Sequence, residues 1–313
     1  MNELIYKNKN LFDLLPQEEI ERAYEYAEGD KRFLDNAKTE REAVAEAIAI
    51  AKGAGFCEFD GSRPQPGAKI YKSIGGKALM LAVIGNRPLE DGANIAGAHV
   101  DSPRLDLKQM PLYEDSEIAL FKTHYYGGIR KYQWVAMPLA LHGVIAKPDG
   151  AIEKVSIGEE PDEPVFFVSD LLPHLGKDQN KKTLAEAFTG EDLNIFIGTR
   201  PTGGEKHSDR FKMSILQVLN EKYGMDEEDF LSAELEAVPA GRARDAGFDR
   251  SMVLGYGHDD RSCVYAGLRA ICETENPEKT AICILVDKEE VGSSGVTGMQ
   301  SQAFEKFLAD ISG

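Results

Sequence analysis

Two stretches of helical spacing open the chain. From Gln17 to Glu28, Ile20, Ala23, Tyr24 and Ala27 share one face, and Thr39-Glu40-Arg41-Glu42 then reads as the capped start of a second helix. Ala43, Val44, Ala47, Ile48 and Ala51 follow at helical spacing, and Gly53 and Gly55 end it, so residues 17–53 are predicted to be largely helical. A glycine-, proline- and charge-rich loop, Phe59 to Gly67, leads into strand-like segments. Lys69 to Lys72 and Lys77 to Ile84 are joined by Gly75-Gly76, and the unbroken apolar run Leu79 to Val83 predicts a strand buried on both faces. Ala93 to Val100 is a further strand, which Pro103 stops.

From about Leu105 to Arg244 the pattern turns β-rich. Ala140 to Ile145 and Ala151 to Ile157 flank Lys147-Pro148-Asp149-Gly150, a hairpin turn, and Pro164 to Ser169 is another strand candidate. Asp178 to Lys182 is polar and expected on the surface, and Phe211 to Tyr223 reads as an amphipathic helix. An insertion of roughly 140 residues is domain-sized. From Met252 the α/β pattern resumes: a turn over 255–261, a helix from Ser262 to about Cys272, an apolar strand from Ala281 to Val286, and a last helix from about Ser301. The expected division is therefore an α/β domain of residues 1–104 and 245–313, interrupted by a β-rich domain of residues 105–244.

The 313 residues carry 42% apolar side chains, enough for a sizeable core, and a net charge of −17. That charge argues against nucleic acid and anionic membranes as partners. Cys57, Cys263, Cys272 and Cys283 form no CxxC pair and read as reduced, mostly buried thiols, as in a cytoplasmic protein. The N-terminal MNELIYKNKNLFDLLP has no continuous apolar core of the secretory kind, and no window approaches the roughly 18 apolar residues of a membrane span.

Chemistry collects at three places, each at the end of a strand or in a turn. Glu289-Glu290 follows the Ala281 strand, and adjacent carboxylates repel unless a cation sits beside them. Taken alone the pair is a charged surface turn; beside a divalent metal one glutamate binds and the other is left as a base. His99-Val100-Asp101 ends another strand, where an imidazole can bind metal while the carboxylate two residues on orients it. In Asp259-Asp260-Arg261 one aspartate can bridge two metals while Arg261 pairs with the other; an N-cap ahead of a helix is the simpler alternative. One imidazole with several carboxylates suits zinc, manganese or cobalt.

In order and context, Gly97-Ala98-His99-Val100-Asp101-Ser102-Pro103-Arg104, Gly257-His258-Asp259-Asp260-Arg261 and Asp287-Lys288-Glu289-Glu290-Val291-Gly292-Ser293 resemble the M18 metallo-aminopeptidases, the aspartyl aminopeptidase family. The likeness extends to Tyr125-Tyr126-Gly127-Gly128, Leu172-Pro173-His174-Leu175 and the stretch from Glu234 to Pro239. It implies a three-layer α/β/α metallopeptidase fold of the phosphorylase/hydrolase-like kind, with an inserted β-rich dimerisation domain. It also implies two divalent ions, Zn2+ with Mn2+ or Co2+ as alternatives. His99 would bind one metal and Asp101 orient it, Asp259 would bridge, Glu290 would bind the second and Glu289 would be the general base. His174 would reach a neighbouring subunit's active site. Peptides with a free N-terminus are the implied substrates, and a homo-oligomer built from dimers the implied assembly.

One departure stands out. The family's remaining aspartate and histidine ligands lie downstream of the Glu-Glu motif, whereas 23 residues follow Glu290 here and the last histidine is His258. Asp310, in an amphipathic segment, is not assigned as a ligand. On sequence alone each metal is one protein ligand short, which leaves a catalytically inactive fragment or assembly subunit as the alternative to a working aminopeptidase.

Overall fold

In the computed structural model, residues 4–204 and 208–312 are described. Helices α1 (Gln17–Asn36) and α2 (Glu40–Gly53) precede strands β1 (Cys57–Glu58), β2 (Lys69–Ile74), β3 (Ala78–Val83) and β4 (Asn94–His99). The β-rich segment follows: β5 (Arg104–Asp115), β6 (Ile118–Tyr126), β7 (Leu139–Ala146), β8 (Ile152–Ile157), β9 (Phe167–Val168), α3 (Leu184–Ala187), β10 (Ile195–Gly198), α4 (Arg210–Tyr223) and β11 (Ala233–Pro239). The ribbon β12 (Arg244–Ala246) and β13 (Met252–Leu254) leads to α5 (His258–Glu273), β14 (Ala281–Val286) and α6 (Ala303–Ser312).

The first sheet has the order β1-β2-β3-β14-β4, with β14 antiparallel to β3 and parallel to β4. Its two central strands are apolar at every position because both faces are covered. Leu79, Leu81, Val83, Cys283 and Leu285 pack with side chains of α1, α2 and α5, while Met80, Ala82, Ile282 and Ile284 pack against Phe307 and Ile311 of α6. This is the expected three-layer α/β/α arrangement. Truncating a leucine as enclosed as Leu81 or Leu285 would cost about 2–5 kcal/mol. The second sheet has the order β8-β7-β11-β5-β6-β10-β9 and its own core, centred on Leu105, Leu139, Ile145, Leu193 and Ile195.

Most predicted elements form within a few residues of their expected limits. Helix α2 starts on a complete capping box, with Glu42 N donating to Thr39 Oγ1 and Thr39 N to the Glu42 carboxylate. The hairpin turn after Ala146 joins β7 to β8 in antiparallel register. The expected strand from Pro164 to Ser169 shrinks to Phe167–Val168 at the sheet's edge. Strands β5 and β6 escape the pattern reading. Their register shifts between Leu107 and Leu112, a bulge beside Met110 (φ 51°) that breaks the two-residue alternation. The expectation of mostly buried thiols is corrected at two positions: Cys57 and Cys263 are exposed, the former on the short outermost strand and the latter early in α5.

The chain crosses between the sheets through Val100-Asp101-Ser102-Pro103, and a second tie lies at His142 of β7. Its Nδ1 is 2.9 Å from Glu42 Oε1 on α2, and its Nε2 is 3.1 Å from Glu159 Oε1, with the residue buried. Lys38 and Gly241 N also engage Glu159. Burial alone would lower the imidazole pKa, but hydrogen bonds donated to Glu159 and Glu42 outweigh it and raise it to about 9. A raised folded-state pKa stabilises fully below the unfolded value of about 6.5 and is lost as pH climbs through about 9. Urea unfolding at pH 6 and pH 10 therefore shows a loss of up to about 3 kcal/mol at the higher pH, and His142→Gln removes that part of the slope.

Candidate metal centre

Strands β4 and β14 run parallel, with Val286 paired to His99, so their C-terminal ends open on the same side of the sheet. His99 closes β4, and the 3-10 turn Glu289–Val291 begins three residues past β14. Helix α5 opens on the same side. Asp259 and Asp260, joined by a cis peptide, have non-helical backbone angles, so the regular helix begins beyond them, close to the predicted start at Ser262.

Asp101 is the hub and is completely buried. Its Oδ1 accepts from Glu289 N (3.2 Å) and lies 3.3 Å from His99 Nδ1; its Oδ2 accepts from Glu290 N (3.1 Å) and from the Tyr126 hydroxyl (2.8 Å). Burial alone would raise the carboxyl pKa, but the bonds from His99, Tyr126 and Glu290 N hold it below the usual carboxylate range. His99 Nδ1 is also 3.0 Å from the Asp101 carbonyl oxygen, so its Nε2 is the nitrogen turned to the open side. Burial would lower the His99 pKa, yet its bond to Asp101 raises it to about 9.

Around Nε2 lie Asp259 Oδ1 at 3.3 Å and Glu289 Oε2 at 3.6 Å. His99, Glu289 and Glu290 each bring one ligand atom within 4.8 Å of the others. An imidazole nitrogen and hard carboxylate oxygens on one open side match the donor preferences of zinc, so the residues present fit a divalent metal. Burial raises the Glu290 carboxyl pKa, and the nearby charges of Asp259 and Asp101 add to that rise. Among the described residues, the expected set His99, Asp101, Asp259, Glu289 and Glu290 comes together, while His174 lies exposed in a loop without a hydrogen bond or ion pair to any of them. Asp310 pairs with Lys306 on α6.

One expectation is corrected. Arg261 does not pair with Asp260: its Nε donates to the Val100 carbonyl at 3.1 Å, and its guanidinium lies 5.4 Å from the Tyr256 ring centre. Asp260 instead accepts from His99 N at 3.2 Å. The arginine is 1% exposed, and a main-chain carbonyl at the strand end is the acceptor within its reach. Ser102 Oγ donates to the Asp259 carbonyl at 2.8 Å, a support that no spacing in the sequence points to.

The second sheet presses on the site through Tyr126 and Gly127. Gly127 has φ +73°, and a Cβ there would lie 2.9 Å from Glu290 Oε2 and 3.0 Å from its Cβ. Gly127→Ala is expected to push Glu290 aside and, if Glu290 holds a divalent ion, to lower zinc affinity roughly tenfold or more. It should also cost about 1 kcal/mol or more of stability from the left-handed backbone. Calorimetric zinc titration and urea unfolding check the two effects separately.

Comparison with known proteins identifies the family. The family profile described as aminopeptidase I zinc metalloprotease (M18) matches residues 33–313. A protein of Clostridium acetobutylicum named probable M18 family aminopeptidase 1 is 51% identical over 315 residues, covering 99% of this chain and 68% of its own. The crystal structure of an M18 aminopeptidase from Thermotoga maritima superposes with a TM-score of 0.92 at 43% identity, covering 98% of this chain and 67% of that one. The structure of a yeast mApe1 dodecamer shares the fold at 19% identity, with a TM-score of 0.71 over 91% of this chain and 66% of that one. The chain thus spans about two thirds of the length of these relatives.

Proposed function

Because the chain belongs to the M18 family of zinc aminopeptidases, we propose that it removes N-terminal residues from peptides with a free N-terminus at the centre built on His99, Asp101, Asp259, Glu289 and Glu290. The observation that carries this reading is the Asp101 carboxylate, which ties the imidazole of His99 to the main chain of both glutamates. His99 and Glu290 would hold one divalent ion each, with Asp259 shared between two. When bound, zinc polarises a carbonyl oxygen and makes water acidic enough to supply hydroxide near neutral pH.

The protein's own groups do the rest. Asp101 fixes the His99 ring so that Nε2 faces outward. Glu289, more than half exposed and 3.6 Å from that nitrogen, takes a proton on a carboxylate oxygen and later gives it to the leaving amine. Its closeness to the ligand atoms fits a base working beside the metals.

Residues 1–104 and 245–313 would form the catalytic domain, and residues 105–244 the dimerisation domain, consistent with separate cores under the two sheets. His174, exposed on the inserted segment, would serve the site of a neighbouring subunit in a homo-oligomer built from dimers. A cytoplasmic location accords with the free cysteines; no described helix is long and apolar enough to cross a membrane.

Elemental analysis is expected to find about two divalent ions per chain, zinc foremost, with clear loss in Glu290→Ala. Glu289→Gln keeps its metal and loses about 10²–10⁴-fold in kcat on peptides with a free N-terminus. Absence of metal from both the parent protein and Glu290→Ala would favour an assembly subunit without a working site. Loss of metal in Glu289→Gln would make Glu289 a ligand rather than the base.

A further inference from the structure

Tyr126 is the last residue of β6 and belongs to the second sheet, yet its hydroxyl ends on the hub of the centre built at the first. It donates to Asp101 Oδ2 at 2.8 Å, the shortest of the four contacts that carboxylate makes to side-chain and main-chain donors. Burial and the Asp101 charge raise its pKa far above the ordinary phenol value, so the hydroxyl keeps its proton and acts as a donor. A fully buried carboxylate is costly unless its oxygens are satisfied. Without this donor, Oδ2 would keep only Glu290 N.

The ring itself is clamped. Arg104 pairs with Tyr126 in the β5–β6 register, and its guanidinium carbon lies 3.8 Å from the ring centre. Arg104 is in turn held by Asp106 (2.7 Å), Glu236 (3.1 Å) and Glu40 (3.3 Å), and Lys77 reaches Glu40 at 2.8 Å. Burial favours the neutral acid at both glutamates. At Glu40 the Arg104 and Lys77 charges prevail and hold it down to about 2. At Glu236 burial and the Glu40 charge prevail and raise it well above the usual range. The guanidinium thus faces a set of carboxyls drawn from α2, β5 and β11, and a stack fixed by three elements leaves the phenol little freedom to turn away.

We propose that Tyr126 is a positioning residue of the metal centre. Through Asp101 it fixes both the His99 ring and the main chain of the Glu289-Glu290 turn, so that the inserted β-rich segment sets the metal affinity of a site whose ligands lie outside it. The proposal rests on the reading of His99 and Glu290 as ligands given above. Two consequences separate this role from simple support of the fold. Removing only the hydroxyl weakens metal binding. Removing a comparable hydroxyl nearby, that of Tyr256, which donates to the Pro103 carbonyl at 2.9 Å, leaves metal binding alone.

Zinc affinity, measured by competition with a chromophoric chelator on the zinc-loaded protein, tests both. Tyr126→Phe is expected to weaken binding about tenfold or more, as loss of a group supporting a metal-bound histidine does. Tyr256→Phe is expected to stay within about twofold of the parent, although both variants lose one hydroxyl from the same junction. With cobalt in place of zinc, the visible spectrum of Tyr126→Phe shifts, since His99 is held less firmly, and that of Tyr256→Phe does not. If Tyr126→Phe fails to fold, 4-aminophenylalanine and 4-methylphenylalanine at position 126, alike in size and reach, make the comparison, and the amino variant, which retains a donor, binds zinc more tightly. Glu290→Ala is carried alongside. Loss of zinc in Glu290→Ala with unchanged affinity in Tyr126→Phe overturns this inference alone. Unchanged affinity in both overturns the reading of the site as well. Equal losses in Tyr126→Phe and Tyr256→Phe, or equal affinities in the amino- and methyl-substituted variants, also overturn it.

Discussion

A carboxylate excluded from water must have its charge answered by fixed donors, and in this protein Asp101 meets that demand by gathering the pieces of the site. Its partners come from β4, the turn after β14 and the end of β6. An unpaired buried charge would cost several kcal/mol, so each donor is held in place by the same term that keeps the carboxylate ionised. The open side of the site is thereby left with groups lacking comparable mutual support: the Nε2 of His99 and the carboxylates of Asp259, Glu289 and Glu290. Negative charge accumulates there, and a divalent cation is the species that relieves it.

The same logic governs the junction between the sheets. Arg104 sits among Glu40, Asp106 and Glu236, and His142 between Glu42 and Glu159. Buried ion pairs of this kind add little net stability over well-packed apolar side chains, but breaking one leaves an uncompensated charge and costs about 3–5 kcal/mol. Their consequence is geometric: helix α2, strands β5 and β11 and the turn after β8 hold one relative placement. The metal centre lies at the end of that junction, where the chain crosses from β4 to β5, so the stiffness of the junction reaches the residues around Asp101.

What was legible in the sequence follows from the range of the interactions involved. The run Leu79–Val83 and the capping box at Thr39 are local signals, and both elements form where they point. Strand β5 is obscured because its bulge at Met110 interrupts the alternation on which a strand is recognised. His99, Asp101 and the Glu-Glu turn are readable because each motif lies at the end of its own strand, and the family likeness adds their association. The link from Asp101 to the turn spans 188 residues and is made by main-chain N–H groups, which carry no residue signature. The role of Arg261 is misread for the opposite reason. Sequence adjacency to two aspartates suggests an ion pair, while the fold turns the side chain inward to the end of β4.

On the proposed function, Asp101 organises the site without binding the metal, and His99 Nε2 and the carboxylates around it would be the ligands. Anomalous diffraction at the zinc absorption edge from crystals of the zinc-loaded protein tests it most directly. Anomalous peaks are expected within about 2.0–2.2 Å of His99 Nε2 and of a Glu290 oxygen, with both Asp101 oxygens still bonded to the main chain of Glu289 and Glu290. A peak bonded to an Asp101 oxygen, or zinc bound away from His99, would contradict it.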